Sequence, residues 1–119
     1  KKKIRTSLFV NPSLQDIKIS KFIGTDCVEI HTGRLANLVK SKKNFLNELN
    51  RIKKCSKLAE DLSIEVHAGH GLDYKTTTLL SKIKEIKEFN IGHYLIGESI
   101  FDGLHKVIKR FKRILKKSK

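Results

Sequence analysis

The sequence alternates four times between a short apolar run and an amphipathic helical stretch, and that alternation limits what it can fold into. Ile4 to Val10 (IRTSLFV) is rich in β-branched and aromatic residues and reads as a strand. Asn11-Pro12 stops it, with Asn11 placed to cap the next helix and Pro12 suited to its first position. Leu14, Ile17, Ile19 and Phe22 form a short amphipathic helix that Gly24 ends. Cys27 to His31 (CVEIH) is the second strand, closed by Thr32-Gly33. A polar loop, Lys40 to Lys43, leads into a long helix from Asn44 to Leu62, whose apolar residues recur at steps of three and four. Ser63 to Val66 (SIEV) reads as the third strand, followed at once by the loop His67-Ala68-Gly69-His70-Gly71. A helix from Thr77 to Ile86 comes next, then a fourth strand, Phe89 to Ile91, ending in Gly92-His93. A short helix from Tyr94 to Phe101, broken by Gly103, precedes a last helix from Leu104 to the C-terminus at Lys119.

Such alternation with short connections predicts parallel strands joined by right-handed crossovers, an α/β fold with the strands in chain order. Four βα units make either a small open sheet or half of a barrel, and the count alone leaves both open. At 119 residues the chain is one small domain with a modest core. No stretch reaches the roughly 18 apolar residues of a membrane helix, and no signal-peptide pattern follows the charged N-terminus. Cys27 and Cys55 have neither metal spacing nor a disulfide framework, and read as reduced thiols of a cytoplasmic protein. The sequence has no methionine, not even at position 1, and we read the chain as a piece of something longer.

A net charge of +14 invites a nucleic-acid reading, but the charge is unevenly placed. Between Asp16 and Asp102 lie all 12 acidic residues and 14 of the 26 basic ones, a net of +2. The excess sits at the ends: Lys1, Lys2, Lys3 and Arg5, then eight Lys/Arg from Lys106 to Lys119. Lysine outnumbers arginine, and no aromatic residues are interleaved to stack bases. A solvated helix face with a basic tail fits this better than a nucleic-acid or membrane patch.

In parallel α/β folds, functional residues gather at the carboxyl ends of strands. Here those ends carry His31, His67, His70 and His93, four of the five histidines on one expected rim; His105 falls on the last helix and reads as a surface residue. Histidine suits proton transfer because its pKa lies near the working pH. Gly69 and Gly71 flank His70, and Gly92 precedes His93, so the backbone can approach a ligand closely there. Gly92-His93 also opens a helix, whose N-terminal N–H groups suit a phosphate. Glu29 alternates with Val28 and Ile30, and a carboxylate on an inward face is costly unless paired or functional. His67-x-x-His70 with His31 or His93 could offer zinc donors, but adjacent rim histidines on a loop are weak evidence and no helical H-E-x-x-H is present; no metal is expected.

Four segments, TSLFVNP, VEIHTG (Val28 to Gly33), AGHGLDY (Ala68 to Tyr74) and EFNIGHYLIG (Glu88 to Gly97), in this order and spacing, resemble the pyridoxine 5′-phosphate synthase family over nearly the whole chain. The sequence departs from that pattern at His67, where asparagine is usual, and at Glu98, where arginine is common. The resemblance implies a TIM (β/α)₈ barrel of which residues 1–119 cover the last four βα units, with 104–119 as the last helix. It implies condensation of 1-deoxy-D-xylulose 5-phosphate with 3-amino-2-oxopropyl phosphate, closing the pyridine ring and releasing phosphate, without metal or organic cofactor. His70 then resembles the family's proton donor and Glu29 its transition-state-stabilising carboxylate. Gly71, Gly92 and His93 resemble the residues that hold the amino-oxopropyl phosphate. The expected partners are phosphorylated small molecules and the first half-barrel, in cis or trans, with a homo-oligomer for the full enzyme. Two readings from other classes remain: a non-catalytic phosphate-ester-binding half-barrel and a basic nucleic-acid-binding domain.

Overall fold

A computed structural model describes residues 4–117. Lys1, Lys2, Lys3 and Lys119, part of the basic excess at the two ends, lie outside the described residues. Ten elements follow one another: β1 (Ser7–Val10), α1 (Leu14–Ile23), β2 (Cys27–His31), α2 (Gly33–Lys40), α3 (Leu46–Asp61), β3 (Glu65–Gly69), α4 (Tyr74–Leu80), β4 (Ile86–Asn90), α5 (His93–Asp102) and α6 (Leu104–Lys117). The strands form one sheet in the order β1-β2-β3-β4, every neighbouring pair parallel, as the alternation predicted. Right-handed crossovers between strands laid down in chain order put the connecting helices on one face of the sheet.

The side-chain alternation agrees. Val28 and Ile30 of β2 and Val66 and Ala68 of β3 are fully buried in a core shared with Ile17 of α1, Leu35 of α2, Ile52 and Ala59 of α3 and Leu80 of α4. Cys27, Glu29 and His31, and across the register Glu65, His67 and Gly69, belong to the opposite face. That face is polar. Arg5 Nη2 stands 3.0 Å from Glu65 and donates to Cys27 Sγ at 2.9 Å, and His67 Nε2 bonds Glu65 Oε1 at 2.8 Å. Hydrogen bonds from His67 and then Arg5 hold the Glu65 carboxyl below its ordinary range. Both cysteines are free and buried, and burial pushes their thiols up, which keeps them neutral at physiological pH.

Several boundaries differ from the sequence reading, each for a local reason. Ser13, not Asn11, caps α1, accepting from the Asp16 N–H at 3.3 Å, so Pro12 lies outside the helix. Gly24 ends it in the left-handed conformation, as expected. Residues 33–40 form a helix that was not anticipated. β3 begins at Glu65 rather than Ser63, because Ser63 takes a positive φ in the tight turn out of α3 and its N–H goes back to Glu60. It then runs through His67-Ala68-Gly69, residues read as loop, because they pair with Glu29, Ile30 and His31. α4 starts at Tyr74 rather than Thr77, since Asp73 and Thr76 make a reciprocal capping box. Ile86 consequently belongs to β4, which is Ile86–Asn90 rather than 89–91.

The last helix packs Val107 and Phe111 inward and turns the basic side chains from Lys106 to Lys116 to solvent. The Phe111 and Tyr74 ring centroids lie 4.6 Å apart, and the Arg110 guanidinium stands over the Tyr74 ring, 3.9 Å from its centroid. Among the described residues, no helix is long and apolar enough to cross a membrane.

Candidate active site

The carboxyl ends of β2, β3 and β4 surround a cavity of about 610 Å³ lined by His70, Gly71, Asn90, Gly92 and His93 among others. Four of the five residues singled out from the sequence thus meet in one place. His93 is the first residue of α5 and Gly92 its cap. The N–H groups of that first helical turn have no partner within the helix, and the helix dipole favours an anion beside them. Lys40 at the end of α2 also lines the cavity and adds a positive charge.

Glu29, the fifth residue, does not line the cavity. It sits one row below the rim, level with Phe9 on β1 and His67 on β3. Above it in the next row is Gly69, which has no side chain, and the Glu29 carboxylate rises through that vacancy. A Cβ built at Gly69 would overlap it. At the rim, Asn90 Nδ2 donates to Glu29 Oε2 at 2.7 Å, and Asn90 does line the cavity. The carboxylate therefore borders the site through Asn90.

His70 occupies an unusual backbone position. Its φ is +76°, the left-handed region that costs a non-glycine residue roughly 1–2 kcal/mol. Gly71 follows at +75°, where a Cβ would also press on Ala36 at 3.1 Å. The His70 ring is stacked on His31, with centroids 4.7 Å apart and planes at 27°, and Phe9 packs edge-on against His31 at 5.2 Å. The buried Thr32 hydroxyl points at two carbonyls, 2.7 Å from Gly69 O and 2.8 Å from His70 O.

One expectation is corrected. His67 is not a rim residue: it lies within β3, buried, bonded to Glu65 and 3.9 Å from Glu88. Its alternation with Ala68 and its pairing opposite Glu29 put it below the rim. The zinc donors considered from the sequence are consequently not brought together. The donors that do converge among the described residues are Cys27, Glu65 and His67, and the Arg5 guanidinium already bonds two of the three. The cluster is an ion-paired network in the polar face. His105 is exposed on α6, as expected.

The sequence reading gave no role to Thr32, Gly33 or Asn90. Each lies inside a quoted motif, but nothing in a single sequence marks the contacts they make across strands.

A family model described as pyridoxal phosphate biosynthesis protein PdxJ matches residues 1–117. A protein of Pelagibacter ubique named pyridoxine 5′-phosphate synthase is 62% identical over 117 residues, 98% of this chain and 49% of that protein. Proteins of the same name from Sulfurihydrogenibium and Zymomonas mobilis are 45% and 46% identical over 112 residues, 94% of this chain and 45% and 43% of theirs. The chain spans about half the length of the curated relatives it matches. Matched almost from end to end by that family model, the chain belongs to the PdxJ family of pyridoxal phosphate biosynthesis proteins.

Proposed function

We propose that this chain is the second half of a pyridoxine 5′-phosphate synthase barrel and supplies its phosphate-holding and proton-donating rim. Residues 1–119 are the last four βα units of a (β/α)₈ barrel, whose first four, in the same polypeptide or another, complete the sheet at the open edges of β1 and β4. The substrates are 1-deoxy-D-xylulose 5-phosphate and 3-amino-2-oxopropyl phosphate, and the products pyridoxine 5′-phosphate and phosphate. His70 donates a proton during ring closure, and Glu29, steadied by Asn90, stabilises charge that develops in the transition state. Gly71, Gly92 and His93 hold the phosphate of the amino-oxopropyl substrate. The complete enzyme is a homo-oligomer.

The observation that carries this reading is the cavity itself. An exposed histidine, two glycines that let backbone approach a ligand, and a helix N-terminus face one space at the carboxyl ends of parallel strands. Phosphate sites of barrel enzymes are commonly built from a helix N-terminus after the last strands. The nucleic-acid alternative rests on α6, whose basic residues from Lys106 to Lys116 are exposed.

Titration of the isotopically labelled chain with inorganic phosphate tests the site. Amide shifts are expected first at Gly71, Gly92 and His93. Shifts confined to the basic face of α6 would contradict the assignment, and tight RNA or DNA binding that falls steeply with salt would favour the nucleic-acid reading instead.

A further inference from the structure

We propose that His31, Thr32 and Gly33, the end of β2 and the start of α2, are positioning residues that set the backbone and ring of His70, with Thr32 the decisive member. This rests on the proton-donor reading given above, and it assigns the reason His70 can stand where it does.

A left-handed histidine needs a restraint, because its backbone would relax to negative φ if nothing held it. Thr32 supplies that restraint from across the sheet. Its hydroxyl donates to the carbonyls on both sides of the His70 Cα, Gly69 O at 2.7 Å and His70 O at 2.8 Å. Its own N–H donates to Gly69 O at 2.9 Å. Thr32 is fully buried, so water cannot substitute for the hydroxyl. The residue before it, His31, stacks on the His70 ring at 4.7 Å, and Phe9 backs His31 on β1. The residue after it, Gly33, leaves room for both rings. A Cβ at Gly33 would stand 2.7 Å from His70 Cδ2 and 2.8 Å from His31 Cε1. Three consecutive residues thus restrain one side chain by main-chain capture, ring stacking and an enforced absence of bulk. His31 ends β2, Thr32 caps α2 and Gly33 opens it, and Thr32 and Gly33 are buried, whereas His70 lies on an exposed turn. Holding the donor in one place is what proton donation to a fixed point requires.

Thr32→Val keeps the shape and removes the hydroxyl, Thr32→Ser restores it, and Gly33→Ala disturbs the rings while leaving the hydroxyl in place. In the labelled chain, the strong intraresidue HN–Hα NOE of a positive φ at His70 is expected to weaken in Thr32→Val and to persist in Thr32→Ser. Gly33→Ala is expected to shift the ring signals of His31 and His70 together. In the enzyme completed with its first half, Thr32→Val is expected to lower kcat up to about 100-fold with KM little changed. Thr32→Ser should recover most of it, and Thr32→Val should cost nothing further when His70 is already Asn. An unchanged His70 NOE in Thr32→Val, or an equal loss of kcat in both backgrounds, would overturn the positioning role. Should Thr32→Val fail to fold, unmoved ring signals and full kcat in Gly33→Ala would overturn it. If Thr32→Val releases His70 but His70→Asn alone keeps full turnover, the positioning stands and the proton-donor reading falls.

Discussion

His70→Asn, in the enzyme completed with its first four βα units, is expected to lower turnover by at least about 100-fold, the low end of what a general acid contributes. Asparagine suits this test because of the backbone. His70 sits at φ +76°, and asparagine tolerates the left-handed region better than almost any other residue with a side chain. The substitution therefore preserves the turn into Gly71 and the Thr32 hydrogen bonds to Gly69 O and His70 O. It removes the ionisable ring and its stack on His31. The backbone proposed to hold the phosphate, at Gly71 and Gly92, is untouched, so the KM for the amino-oxopropyl phosphate should barely move. Steady-state kinetics of both parameters check this. Full turnover in His70→Asn would remove His70 from the mechanism while leaving the fold and family as they are.

Gly92→Val is expected to act in the opposite way, raising the KM for amino-oxopropyl phosphate with a smaller effect on kcat. A Cβ at Gly92 meets nothing within 4 Å, and its φ of −114° is open to any residue. The added Cβ meets no neighbour, and the thermal midpoint should stay close to the parent's. Gly92 nevertheless lines the cavity, and the new side chain fills the approach to the first turn of α5. Losing one hydrogen bond to a charged phosphate costs about 1.5–3 kcal/mol, so the KM should rise about 10- to 100-fold. Unchanged KM with a folded protein would place the phosphate elsewhere.

The alternation of strand and helix was legible because buried parallel strands and amphipathic helices leave different periods in the sequence. The sheet order followed from it. Boundaries were less legible where pairing, rather than composition, decides. His67-Ala68-Gly69 reads as loop because it is polar and small, yet the partners Glu29, Ile30 and His31 extend β3 through it. Residues 33–40 begin at the strand-closing Gly33 and are short, and their helix depends on Leu35 entering the core. α4 was placed late because the Asp73–Thr76 capping box was not read as a start signal.

The rim residues His70, Gly71, Gly92 and His93 were legible because strand ends can be found without knowing the neighbours. The contacts that organise them were not. Thr32 and His70 are 38 residues apart, and Glu29 and Asn90 are 61 apart. The register of β2 on β3 brings the first pair together, and the gap at Gly69 lets Glu29 reach across β3 to Asn90. The misplacement of His67 has the same origin. Moving the end of β3 past it turns a presumed rim histidine into a buried partner of Glu65.

The most direct test of the account is the rate of pyridoxine 5′-phosphate formation by this chain as a separately produced first half-barrel is added. The proposed ring closure needs several proton transfers, of which the proposed donor His70 can serve only some. Alone, with β1 and β4 as the outer strands of an open sheet, the chain should form no detectable product. Product should appear on addition of the first four βα units and level off at one first half per chain. A normal rate from the chain alone, or no product at any ratio of two folded halves, would contradict the account.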